Sequence, residues 1–262
     1  MTKLLCYLLL LCTLSCSTSK TASTSEVAMD YILGHVRDTL VESKNSYGDL
    51  VTALLAETSL AAEVKKNLSV NLLAFFNGGV LYKKVQEYYW RSLGQEFFLS
   101  AASELALEGP QKLHAKERLD LNPANFQVFV KSRKAFPDWE ERAAIIDSFD
   151  DLNKVSGTLM ASFHNMHQVL ITAISIAGTT PTEVQGLDQS LQQLEGSIQL
   201  QTMYFIKEAM KYTYQDFTKD ELLLLKTFYE RPMMRQIFDR VEDAIGQAYA
   251  SQLGAFKAAY KP

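Results

Sequence analysis

Residues 180–225 read TPTEVQGLDQSLQQLEGSIQLQTMYFIKEAMKYTYQDFTKDELLLL, and this stretch decides the fold class. Thr180-Pro181-Thr182-Glu183 is a capping box with proline at the first helical position, where a missing N–H costs nothing. A helix of about 30 residues is predicted from there to Tyr214. Gly186 and Gly196 each weaken it by ~1 kcal/mol relative to alanine without ending it. Thr218-Lys219-Asp220-Glu221 then opens a second capping box before Leu222–Leu225. No segment after residue 25 alternates apolar and polar residues over several strand lengths, whereas helical spacing recurs.

The same reading extends in both directions. Residues 26–44 place Val27, Tyr31, Ile32, Val36 and Leu40 on one face, and 49–56 with 60–68 read as a broken helical pair. Residues 80–90 follow a turn at Gly78-Gly79, and 93–107 are stopped by Gly109-Pro110. Asn122-Pro123 supplies a cap and a first helical position, with Phe126, Phe129 and Val130 on the face behind it. Phe136-Pro137-Asp138 starts a helix carrying Trp139, Ala143, Ile146 and Phe149 or Asp150 at turn spacing. Residues 156–177 are long and apolar and close at Gly178. Pro232 breaks the chain, and a last helix is predicted over 233–260. The expectation is an all-α chain of about nine helices, a multi-helix bundle or two abutting helical halves. The halves would be an N-terminal region, 26–135, and a C-terminal domain, 136–262.

Composition agrees with a packed core: 47% of residues are apolar and 21% charged. Twelve glycines and six prolines are too few for a many-turned β architecture. Lys and Arg total 26 against 30 Asp and Glu, a formal charge of -4. A phosphate-dominated nucleic-acid binder needs a basic surface, so that class of partner is not expected.

The N-terminus reads as an address. Lys3 precedes an apolar run over 4–14, too short to cross a hydrocarbon core about 30 Å thick and suited to the h-region of a signal peptide. Thr13-Leu14-Ser15-Cys16 resembles a bacterial lipobox. Ser15 fits the small residue before the cut, and Thr13 stands where leucine is preferred. The resemblance implies removal of 1–15 and lipidation of Cys16. Ser17 in place of an inner-membrane aspartate points to the periplasmic face of the outer membrane. All three cysteines fall in the first 16 residues, so a chain starting at Cys16 holds no disulfide and no thiolate metal site. Residues 16–25 read as a flexible tether.

Tyr214-Gln215-Asp216-Phe217-Thr218-Lys219-Asp220-Glu221-Leu222, followed by Phe228-Tyr229-Glu230-Arg231-Pro232, resembles the signature of an exported bacterial helical family known as domain of unknown function 2059. Phe217-Thr218, Glu221-Leu222, Phe228-Tyr229 and Pro232 match in register. Arg231 and Met234 stand where serine and glycine are usual. Ile145-Ile146-Asp147-Ser148-Phe149 and Val155-Ser156-Gly157 resemble that domain's opening. The resemblance covers about 142–256. It implies an exported all-helical domain and no reaction.

Candidate chemistry is sparse. His164 and His167, at i and i+3, can share a helix face and a metal, with Asp147 or Glu208 as a third ligand. The plainer reading is two half-exposed histidines. Glu140-Glu141 and Asp150-Asp151 read as solvated helix faces, because adjacent helical positions diverge by about 100°. No Gly-x-Ser-x-Gly elbow and no phosphate loop occurs. Phe75, Phe76, Tyr82, Tyr88, Tyr89, Trp90, Phe97 and Phe98 crowd a short segment. Two helices could bury them from several sides, or Tyr82, Tyr89 and Trp90 could include a ring facing a groove. The expected function is a non-catalytic, lipid-anchored envelope protein, without cofactor, binding a protein partner or an apolar ligand between helices. The alternative is a metal-dependent hydrolase using His164 and His167.

Overall fold

The computed structural model describes residues 26, 29–30, 32–42, 44–105 and 123–261. Cys16 and its tether, Val27, Tyr31, the Gly109-Pro110 stop and the Asn122 cap lie outside those residues. Among the described residues every regular element is a helix. In chain order these are α1 (Gly34–Glu42), α2 (Lys44–Ala56), α3 (Ala62–Phe75), α4 (Gly78–Leu93), α5 (Gln95–Leu105) and α6 (Pro123–Ser132). After a 3-10 turn at Arg133–Ala135 come α7 (Trp139–Asn153), α8 (Val155–Ile176), α9 (Pro181–Thr213), α10 (Lys219–Tyr229), α11 (Pro232–Phe238) and α12 (Val241–Ala259). The all-α multi-helix bundle read from the sequence is the fold.

Helix α12 lies at the centre, against α4 on one side and α8 on another. It buries Val241, Ala244, Ile245, Ala248, Tyr249, Gln252 and Phe256, a stripe repeating every three or four residues. One contiguous core runs from Met29 to Tyr260 and draws on residues from both sides of Pro137. A second, smaller cluster joins Phe129, Trp139, Ala143 and Tyr212, with Phe126, Val130 and Phe136 against it.

The two capping boxes form as read. Thr180 Oγ1 accepts from the Glu183 amide at 3.4 Å, and Glu183 returns a carboxylate to the Thr180 amide at 3.3 Å. Thr218 and Glu221 repeat the exchange at 3.3 and 2.9 Å. Glu183 also binds the Ser59 amide and hydroxyl at 3.0 and 3.1 Å, tying the start of α9 to the α2–α3 loop. The hydroxyls of Thr180 and Ser59 and the Ser59 amide hold its carboxyl down to about 2. A carboxylate depressed in the folded state stabilises fully above its unfolded value near 4.5, and that stability is lost as pH falls towards 2. Glu183→Gln is therefore expected to flatten the acid limb of stability between roughly pH 4.5 and 2. Thermal melts across that window check it; an unchanged acid limb would assign the slope elsewhere.

Three local expectations are corrected. Gly78 and Gly79 are not a turn before the helix but its first turn, with the Asn77 side chain accepting from the Gly79 amide at 2.9 Å. A Cβ on Gly78 would stand against the Leu40 carbonyl oxygen and 2.7 Å from Val41 Cα, so α4 starts directly on the backbone of α1. Residues 233–260 are not one helix. The Tyr89 hydroxyl donates to the Ile237 carbonyl at 2.7 Å, and the Arg240 amide tightens onto the same oxygen at 3.2 Å. A side chain inserted into the hydrogen-bond ladder interrupts it there, and a separate helix, α12, begins at Val241. Asp150, read as solvated, is buried: its carboxylate accepts from the Ser156 amide at 2.8 Å and hydroxyl at 2.6 Å, capping α8 from the end of α7.

Candidate functional site

The long helix α9 has 33 residues and so spans roughly 50 Å. Its first turns pack on α8 and its last on α7 and α6, while the stretch between is open to solvent. Two sites lie along it.

The first holds the histidines. His167 is buried between helices. Its Nε2 is 2.7 Å from Asp188 Oδ1 and its Nδ1 is 3.2 Å from Glu195 Oε2. His164, more exposed, places Nδ1 3.0 Å from the other oxygen of Glu195. The two rings do share a face of α8, but His167 is not half-exposed as read. Nor do Asp147 and Glu208 join them: Asp147 pairs with Lys211 at 3.0 Å, and Glu208 pairs with Arg133. Asp188 and Glu195 sit at opposite edges of the His167 ring, one on each nitrogen. Carboxylates on opposite edges do not converge on one point. Among the described residues no three His, Cys, Asp or Glu side chains stand as a set that could hold a metal ion. The arrangement is a hydrogen-bonded tie between α8 and α9.

The second is a groove between α6 and the C-terminal half of α9. Phe126, Gln127, Val130 and Lys131 form one wall and Tyr204, Phe205 and Glu208 the other, around a cavity of about 250 Å³. The wedge that opens it is Phe126, whose ring meets Phe205 at 6.0 Å and Tyr212 at 5.7 Å, two helical turns apart on α9. Beneath lie Phe129, Trp139 and Tyr212 in edge-to-face contact. The base is ionic. Glu208, buried, pairs with Arg133 and, at 3.4 Å, with Lys211, which reaches Asp147. Arg142 lies over Trp139 at 5.6 Å and donates to the Gln215 carbonyl, and burial lowers its pKa. These pairs fix the end of α9 behind the groove, and Glu208 alone of them lines it. Burial of paired charges adds little net stability, because desolvation offsets their attraction.

The aromatic segment is elsewhere. Tyr89 and Phe98 are fully buried, and Tyr82 is buried with its hydroxyl on Asp30 at 2.9 Å. Burial pushes both phenols well above their ordinary value. Trp90 is partly buried, with its ring on Phe98 at 5.4 Å. Of Tyr82, Tyr89 and Trp90, none lines the groove. Phe126 and Val130 stand on a face legible in the sequence, whereas Tyr204 and Phe205 sit inside the long helix predicted from Thr180 to Tyr214. The usable signal is two adjacent rings that extend an apolar line from Leu200 through turns otherwise rich in Gln, Ser and Thr.

No protein-family model matches the chain, and no match was found among curated proteins or solved structures.

Proposed function

We propose that this is a non-catalytic protein of the bacterial cell envelope. In this reading it is anchored by lipid at Cys16 to the periplasmic face of the outer membrane. It takes an apolar ligand, or an apolar side chain of a protein partner, in the groove between α6 and α9. The observation that carries the reading is the groove itself: Phe126, Val130, Tyr204 and Phe205 expose apolar surface in a concave site whose floor is held rigid by Arg133, Glu208 and Lys211. Support for the address comes from Thr13-Leu14-Ser15-Cys16 and from the likeness of 142–256 to an exported helical family.

The test uses 1-anilinonaphthalene-8-sulfonate as an apolar probe. Gln127 is exposed at the rim, so Gln127→Trp fills the groove without touching the core. The native chain should bind the probe, and Gln127→Trp should weaken binding at least tenfold with an unchanged melting temperature. Equal binding by the two would remove the groove from the function. In the same preparations Cys16→Ser should leave the membrane fraction or remain unprocessed; a mature form still held by membranes would defeat the anchor.

A further inference from the structure

The middle of α9 carries a face that its own chain leaves uncovered. Leu194, Ser197, Leu200, Gln201, Tyr204 and Phe205 are all exposed, and at 100° per residue they project into one arc of roughly 140°. The four large side chains are 40% (Leu194), 76% (Leu200), 66% (Tyr204) and 52% (Phe205) exposed. That is on the order of 500 Å² of uncovered side chain in each molecule.

The charge pattern narrows what could cover it. From residue 189 to 206 the only charged side chain is Glu195, and it is bound to His164 and His167. A helix that lies in a membrane surface carries Lys or Arg on its polar flank, and this stretch has neither. A strongly acidic or basic partner would find no opposite charge along this stretch of α9, and Lys131 of α6 stands beside its C-terminal end alone. A neutral face bordered by Gln and Ser meets an identical face with no like-charge cost. We propose that this face pairs with the same face of a second copy of the chain, the two α9 helices running antiparallel about a two-fold axis near Leu200.

The side-chain sizes favour that direction. Antiparallel pairing about Leu200 sets Leu194 opposite Phe205 and the small pair Gly196-Ser197 opposite Tyr204, each contact occurring twice as a two-fold interface requires. Parallel pairing would stack Tyr204 and Phe205 on their own copies at one level and leave Gly196-Ser197 facing a gap. Two such faces bury on the order of 1,000 Å², the lower end of a specific interface, so the dimer is concentration-dependent. Leu194 and Leu200 stand outside the groove lining, whereas Tyr204 and Phe205 belong to both the lining and the face, so Leu200 is the position that tests pairing apart from the groove.

Sedimentation of the full-length chain in mild detergent over a concentration series tests the pairing. The native protein should pass from monomer to dimer. Leu200→Lys, at an exposed position, should weaken that association at least tenfold while melting as the native protein does. Gln127→Trp should dimerise normally. A native chain that is monomeric throughout, or a Leu200→Lys chain that dimerises equally, overturns the proposal. So does loss of dimer in Gln127→Trp alone, which would move the contact into the groove. Oxidative cross-linking fixes direction: Leu200→Cys should cross-link beyond the native background and Gln193→Cys should not. In the antiparallel pair the two copies of position 193 stand roughly 20 Å apart. Cross-linking of both to the same extent would mean a parallel pair and defeat the antiparallel one.

Discussion

Tyr89→Ala is expected to cost about 3–5 kcal/mol of stability, the usual penalty for removing a fully buried aromatic ring. Tyr89 is wholly inside the core, edge-on to Phe98 at 6.2 Å and Tyr88 at 5.6 Å. In a chain of this size that lowers the melting temperature by roughly 6–20 °C. Truncation also removes the hydroxyl from the Ile237 carbonyl, where α11 gives way to α12. Tyr89→Phe separates the two parts. It keeps the ring and loses one buried hydrogen bond, an expected ~1 kcal/mol. Amide exchange should quicken around Asp239–Val241 and not in α5. Urea denaturation measures the first effect and residue-resolved exchange the second. If Tyr89→Phe leaves exchange at the break unchanged, the hydroxyl does not set the break.

The second large effect is expected at Gly78. Gly78→Ala should lose ~3 kcal/mol, because the new methyl meets the backbone of Leu40 and Val41 and not a side chain able to swing away. Alanine is intrinsically the better helix residue by ~1 kcal/mol, so the sign runs against propensity. Gly79 is the internal control. A Cβ there would meet only the Asn77 side chain, at 3.3 Å, and Gly79→Ala should be close to neutral. Thermal melts of the two single variants decide the matter. Comparable stability of both would mean that α4 can ride away from α1 at little cost.

What the sequence made legible was local. The boxes at Thr180/Glu183 and Thr218/Glu221 were readable because donor and acceptor sit three residues apart and their bonding depends on nothing distant. The stripe Trp139, Ala143, Ile146, Phe149 was readable for the same reason. The break after Phe238 was not: its cause, Tyr89, lies in another helix, and Asp239-Arg240 contains no proline or glycine to announce it. His167 looked half-solvated because its carboxylates belong to α9, more than twenty residues on. Asp150 beside Asp151 looked like a wet surface, yet one of them turns inward to cap the next helix. The aromatic crowd at 75–98 drew attention from the groove for a physical reason. Burial and binding recruit the same side chains, and only a third dimension separates Tyr89, with neighbours on every side, from Tyr204, with neighbours on one.

Helix α9 has one more property, a mechanical one. It is clamped on α8 through Asp188 and Glu195 and carries a groove wall at Phe205, 10 residues beyond Glu195, roughly 15 Å along a stiff rod. A rod pivoted at one point converts angle into distance. A tilt of about 8° at His167 would carry Phe205 about 2 Å sideways, comparable with the van der Waals radius of a methylene group and enough to open or shut a gap between packed walls. The salt-bridged floor at Glu208 opposes that swing, so the gap is gauged from two places, one of them a histidine far from any ligand.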